Sequence, residues 1–206
     1  MKPFHELLAS AAADHGHLCP GQVLGVRMAM LGCSLIGLDD PTSLEQIKNL
    51  IVYVEIDRCA TDAIAHVTGA KLGRRSLKFV DHGIMAATFV YLSTGKAFRI
   101  VSREDSRELA AKYAPEIRDP HRQQLIAYEH MSLEELFTVE EVAVEVPVSD
   151  LPGPSRYKAA CQRCGIVVRD KKEVIRNGRI LCRPCASGTY YRPLPGQVKE
   201  YGDAEP

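Results

Sequence analysis

The 206-residue chain has no tryptophan and only 6% aromatic residues, and its 26 lysines and arginines are matched by 26 aspartates and glutamates. A neutral total excludes a bulk polycation or polyanion, so any recognition of charged partners has to come from local clustering. Long apolar runs are also missing. "LIVYV" and "GIMAATFVYL" fall well short of the roughly 20 residues that a membrane-spanning helix needs. No secretion signal opens the chain, because Lys2, His5 and Glu6 carry polar groups there and "LLASAAA" is too short for a signal core. The expectation is a soluble, cytoplasmic protein with no membrane partner. What the chain does have is seven histidines and seven cysteines. An odd number of cysteines in a reducing compartment argues for metal ligands or reactive thiols rather than a disulfide framework.

Four of the cysteines form C-x2-C-x17-C-x2-C, as "CQRC" at 161–164 and "CRPC" at 182–185. Each pair closes a tight knuckle, and two knuckles present four thiolates to one tetrahedral Zn²⁺. Between them, "GIVVRDKKEVIRNGRIL" reads as a strand, a polar turn and a hairpin at Asn177-Gly178, the build of a zinc ribbon or treble-clef-like module. Four thiolates leave no open coordination position, so Cys161, Cys164, Cys182 and Cys185 predict a structural zinc. From Arg156 to Arg192, ten basic residues stand against two acidic ones, leaving 16 basic and 24 acidic residues elsewhere. A basic module is therefore attached to an acidic body. Tyr190-Tyr191 is the module's only aromatic run that could stack on bases, so an acidic protein partner is favoured over nucleic acid. Three prolines and a glycine in "VPVSDLPGPSRY" stop both helix and strand. They divide the chain into a main domain (1–147), a linker (148–157), the zinc module (158–192) and a tail (193–206).

In the body, Phe4, Leu7, Leu8, Ala11 and Ala12 place an amphipathic helix over the first segment, and a second, buried helix starts near Pro20. "LIVYVEID" reads as an interior strand and "TDAIAHVTG" as a short helix. "LKFVD", "IMAATFVYL" and "KAFRIVS" follow as strands, then helical stretches near 103–113 and 120–136, and "VEEVAVEV" alternates as an edge strand does. The fold class predicted is α+β, a mixed β-sheet with packed helices plus the small four-cysteine module.

A second constellation lies in "ADHGHLCPG" at 13–21, where His15, His17 and Cys19 occupy alternate positions. An extended segment would turn two imidazoles and a thiol to one side. Glu55, Asp57 and Cys59 alternate in the same way where the interior strand ends, and Cys59 opens a helix whose N-terminus favours a thiolate. His17, Cys19 and Cys59 are the candidate ligands of a cleft metal, with His15 as a fourth ligand or as a hydrogen-bonding support. Glu55, Asp57 and His82 are candidates to surround them. The same thiols could instead form a reactive pair. Mixed imidazole and thiolate donors suit zinc, copper, nickel or iron as the second metal. Cys33 reads as core, and His66 as a solvated or hydrogen-bonded residue.

"HGHLCPGQVLGVRM" at 15–28, "EIDRCATDAIAHVTGAKLGRRSLKFVDHGIMAATF" at 55–89 and the four-cysteine module together resemble the FmdE family, named for a subunit of formylmethanofuran dehydrogenase. The resemblance implies an α+β fold, a cleft built from the two elements with His15, His17, Cys19 and Cys59 at its positions, a C-terminal zinc domain, and a homodimer. It departs at Ile84 and Ala65, where family members often carry lysine and glutamine. The implied role is a metal-binding accessory protein of molybdenum or tungsten enzymes, acting as subunit, metallochaperone or sensor. One alternative is a small metalloenzyme with an open cleft metal and Glu55 or Asp57 as proton acceptor. Another is a nucleic-acid-binding regulator using the basic module.

Overall fold

Leu7, Leu8 and Ala11 form the apolar stripe of helix α1 (Phe4–His15), and they are the residues of that helix that the core buries. In this computed structural model, which describes residues 1–192 and 194, the chain divides into two compact units, Met1–Gly153 and Pro154–Pro206. Apart from Leu194, the tail expected at 193–206 lies outside the described residues.

In the first unit, α2 (Pro20–Leu35) is apolar almost all round and forms the spine of the core. Its glycines set how closely neighbours approach. A Cβ on Gly25 would meet the Ala60 carbonyl oxygen at 2.5 Å, and one on Gly32 would run into the Phe89 ring. Ala60 belongs to α3 (Cys59–Thr68), which packs against both α1 and α2 and is closed by Gly69 in the left-handed region.

The sheet has the order β2-β1-β3-β4-β5, with β1 (Leu50–Val54) parallel to β2 (Leu77–Phe79). β3 (Ala86–Tyr91), β4 (Ala97–Ser102) and β5 (Phe137–Glu141) complete it with antiparallel pairings. Leu50, Val52 and Val54 join the helical core, while Ile51, Val90 and Ala97 on the other face are covered by Val142, Val144 and Val146. Cover on both faces explains why β1 is apolar throughout. The predicted edge strand is present as β5 at the end of the sheet order, but it is shorter: the ladder stops at Glu141, and the later alternating valines cover the sheet instead of extending it.

Three short helices, α4 (Ser106–Tyr113), α5 (Pro120–His130) and α6 (Leu133–Leu136), pack around this core. The single helix expected over 120–136 is broken because Ser132 and Glu135 form a reciprocal capping box that starts a new helix.

His66 ties α3 to α1. Its Nδ1 lies 2.6 Å from Asp14 Oδ2 and its Nε2 lies 2.8 Å from Ser10 Oγ. The partners are those of a hydrolytic triad, but Ser10 sits in mid-helix and its hydroxyl also reaches the Leu7 carbonyl at 3.1 Å. Helical hydrogen bonding has used the neighbouring backbone N–H groups, so none is left to stabilise an oxyanion, and the arrangement acts as a clamp.

The second unit contains two antiparallel hairpins, β6 (Lys158–Ala160) with β7 (Val167–Arg169) and β8 (Val174–Arg176) with β9 (Arg179–Leu181). Asn177 and Gly178 both take positive φ, as a two-residue hairpin requires. Helix α7 (Arg183–Ser187) follows, with Cys182 at its N-cap.

Candidate metal centres

His15 ends α1, Gly16 turns left-handed at φ 95°, and Cys19 caps α2. The segment is therefore not the extended strand that the alternation predicts. The side chains converge all the same, because a helix end and a left-handed glycine fold the chain back on itself. The ligand atoms of His15, His17 and Cys19 lie within 4.8 Å of one another. Donors on one tetrahedral ion stand ~3.4–3.8 Å apart, so side-chain adjustments of about an ångström would close the set.

His15 fits a metal ligand most directly. Its Nδ1 is held at 2.9 Å by Asp62 Oδ2, while its Nε2 is buried and has no hydrogen-bond partner among the described residues. A carboxylate on one ring nitrogen orients an imidazole and fixes its tautomer, leaving the other nitrogen as donor to a metal. Cys19 is buried beside it and His17 is exposed, so the group reaches solvent on one side.

Cys59 lies outside that mutual 4.8 Å set but against the Cys19 thiol. Burial, together with that neighbour, pushes the Cys59 thiol above its usual range. The helix N-terminus alone predicts the reverse, and here desolvation outweighs it. A Cβ on Gly21 would stand 2.9 Å from Cys59 Cβ and 3.7 Å from Cys19 Sγ, so glycine is what lets the starts of α2 and α3 meet. Gln22, fully buried, donates from Nε2 to the Cys59 carbonyl at 2.7 Å. Its Oε1 is buried without a hydrogen-bond partner among the described residues.

The alternation of Glu55, Asp57 and Cys59 is not that of a strand, because β1 ends at Val54 and Cys59 opens α3. Glu55 is instead gripped by Arg99 through two hydrogen bonds of 2.7 Å, with His82 Nδ1 at 3.3 Å. The Arg99 guanidinium holds its carboxyl below the usual range in spite of burial, and His82 adds to the effect. Asp57 is exposed. The sequence reading missed Asp62, Gln22 and Arg99. Only Asp62 had a local signal, as the acidic residue in the first turn of the helix that Cys59 opens.

Beside His15 a cavity of about 510 Å³ opens between α1, α3 and the 3-10 turn at Leu72–Arg74. Its walls include Asp14, Asp62, His66, Lys71 and Arg74.

In the second unit the sulfurs of Cys161, Cys164, Cys182 and Cys185 all lie within 4.8 Å of one another, with Cys164 and Cys182 at 3.7 Å. The backbone N–H of Cys182 and others pull the Cys161 thiol down to about 6, while the Cys182 thiol and its neighbours push Cys185 up to about 12. Four crowded thiols compete for protons in this way, and a dication in their midst removes the conflict. The cluster fits a zinc ribbon and could hold a metal ion.

Residues 14–142, which contain the whole cleft constellation, match the family described as FmdE, molybdenum formylmethanofuran dehydrogenase operon. The chain belongs to the FmdE family. A curated protein of Archaeoglobus fulgidus, named a probable S-adenosyl-L-methionine-binding protein, is 30% identical to this FmdE chain over 203 residues. That match covers 90% of the chain and 53% of the relative, so the chain spans about half the length of the curated relative it matches. The crystal structure of an FmdE-like protein of the tungsten formylmethanofuran dehydrogenase type, from Syntrophus aciditrophicus, superposes with a TM-score of 0.58 at 17% identity. It covers 92% of this chain and 95% of that one, and the likeness is one of fold. Among the described residues, no helix is long and apolar enough to cross a membrane.

Proposed function

We propose that this FmdE-family chain is a metal-binding accessory protein of a molybdenum or tungsten formylmethanofuran dehydrogenase-type system, cytoplasmic and homodimeric, with two metals per chain. Zn²⁺ held by Cys161, Cys164, Cys182 and Cys185 would fold the small module. A second transition metal, zinc among those the donors suit, would bind at His15, His17 and Cys19, with Cys59 next to it. The observation that carries this reading is the bare, buried Nε2 of His15, whose other nitrogen Asp62 holds. Three protein donors leave a coordination position for a small ligand, and a metal there supplies Lewis acidity or a transfer site.

The test is metal content per chain for protein purified without added metal. Two metals in the wild type, with one lost and zinc retained in Cys19→Ala and in His15→Ala, support the reading. One zinc that neither substitution alters refutes it. Sedimentation of the same sample tests the dimer.

The cavity beside His15 favours a second reading, a small-molecule site. Lys71 and Arg74 could take a carboxylate, and Asp14 and Asp62 an ammonium, so a zwitterion matches the walls. Since the Archaeoglobus relative is named for S-adenosyl-L-methionine, titration calorimetry with that compound is the direct check. Heat that Arg74→Ala abolishes supports this reading, and no heat refutes it.

A further inference from the structure

Arg163, Arg176 and Arg179 converge on one open pocket of about 560 Å³ in the second unit, shared with Asn177, Leu181 and Cys185. Arg176 and Arg179 are directly paired across the β8–β9 hairpin. Like charges opposite each other on a ladder are unfavourable unless something negative lies between them. No carboxylate among the described residues pairs with any of the three. Arg163 and Arg176 are aimed by the backbone, donating from Nη1 to the carbonyls of Cys185 at 3.3 Å and Ala186 at 2.7 Å. Each guanidinium has five N–H donors in a fixed fork, so most of each fork is left for a ligand.

The cysteine cluster does not consume this charge. Four thiolates with one zinc carry −2, against ten basic and two acidic residues from Arg156 to Arg192. The surplus is about +6. Tyr190 is fully exposed, and its ring meets that of the half-exposed Tyr191 edge-on at 5.2 Å. Ile175 at the hairpin is 74% exposed. Guanidiniums without carboxylate partners and, elsewhere in the same unit, a pair of bare aromatic rings match a chain that alternates phosphates with flat bases. The sequence alone favours an acidic protein partner, but the convergence of three arginines reverses that preference: the geometry points to a single-stranded nucleic acid as the ligand of this module, with backbone phosphates in the Arg163–Arg176–Arg179 pocket and unpaired bases on Tyr190 and Tyr191. Recognition is through phosphate and stacking and carries little sequence preference. This inference does not depend on the cleft metal.

The experiment is fluorescence anisotropy of fluorescein-labelled 20-nucleotide DNA and RNA, single-stranded and duplex, with the zinc-loaded full chain. Three phosphate contacts to a single strand give a log–log salt slope near −2, or about a 20-fold loss of affinity from 50 to 200 mM salt. Among the described residues no side-chain hydrogen bond ties Arg179 to the fold, so Arg179→Gln should leave zinc content unchanged, weaken binding about threefold or more, and flatten the slope to about −1.4. Tyr190→Ala should weaken single-strand binding at every salt concentration without changing the slope. Arg122→Gln, on α5, should change nothing. No binding at 50 mM salt overturns the inference, as does binding that Arg179→Gln leaves intact. A preference for duplex, or tighter binding of poly-glutamate than of the oligonucleotide, also overturns it and assigns the surface to another partner. If Arg179→Gln alters only zinc retention, the arginines serve the thiolates and the inference falls.

Discussion

Asp62→Ala deletes the carboxylate 2.9 Å from His15 Nδ1 while leaving every candidate ligand of the cleft in place. Without that acceptor the ring is free to turn and to change tautomer, and its Nε2 becomes a poorer donor. Losing such a support lowers metal affinity 10–100-fold, about 1.4–2.7 kcal/mol. The Asp62 side chain is 65% exposed, so its field is screened and the lower end, about tenfold, is expected. Asp62→Asn keeps an acceptor oxygen and should fall between wild type and Asp62→Ala. The assay is competition for cobalt(II) against a chelating dye, with the four-cysteine site kept loaded with zinc. Asp14→Ala is the control, since it loosens the same helix pair through His66 without touching His15. Affinity within twofold of wild type in Asp62→Ala would refute the assignment of His15 as an oriented ligand. Equal losses in Asp14→Ala and Asp62→Ala would trace the effect to packing of α1 on α3.

Three further outcomes follow from the same geometry. Gly25→Ala drives a Cβ to 2.5 Å from the backbone carbonyl oxygen of Ala60, and should destabilise the first unit by about 3 kcal/mol, read as a fall in its thermal midpoint. Arg99→Ala strands the buried Glu55 and should cost about 2–3 kcal/mol at neutral pH by denaturant titration. Because the folded-state pKa of Glu55 is depressed, the wild-type contribution is present above the ordinary carboxylate range and is lost as pH falls below about 4.5. The penalty of Arg99→Ala should therefore shrink on acidification, and a penalty independent of pH would exclude this ion pair as its cause. Chelation of zinc should unfold the module of Cys161, Cys164, Cys182 and Cys185 and leave the first unit's circular dichroism intact, whereas loss of both together would show that the units are not independent.

The four-cysteine module was legible because its ligands come in pairs with two residues between them, and local chain geometry suffices to bring each pair together. The start of α2 was legible for a similar reason, since Pro20 is a local signal. The cleft was legible for the wrong geometric reason. Alternation in an extended chain predicts the gathering of His15, His17 and Cys19, whereas a helix end and a left-handed glycine bring it about. For Glu55, Asp57 and Cys59 the same alternation fails outright because β1 stops at Val54. The side chain of Glu55 is committed instead to a partner 44 residues away, Arg99. Asp62 and Gln22 act over 47 and 37 residues, through contacts that no local pattern encodes. The break between α5 and α6 was in plain view, since Ser132 and Glu135 spell a capping box, but helical periodicity on both sides concealed it.

The cleft donors come from the end of one helix, the loop after it and the cap of the next, so they exist as a set only while α1, α2 and α3 are docked. A ligand that binds only the folded form adds to its stability by mass action, about 4 kcal/mol at a thousandfold excess over the dissociation constant. With the proposed metal bound there, the left-handed turn at Gly16 would link the survival of the N-terminal unit to the supply of free metal around it. In a metal-starved cell, the same chain would be open more often and would be removed sooner by proteolysis.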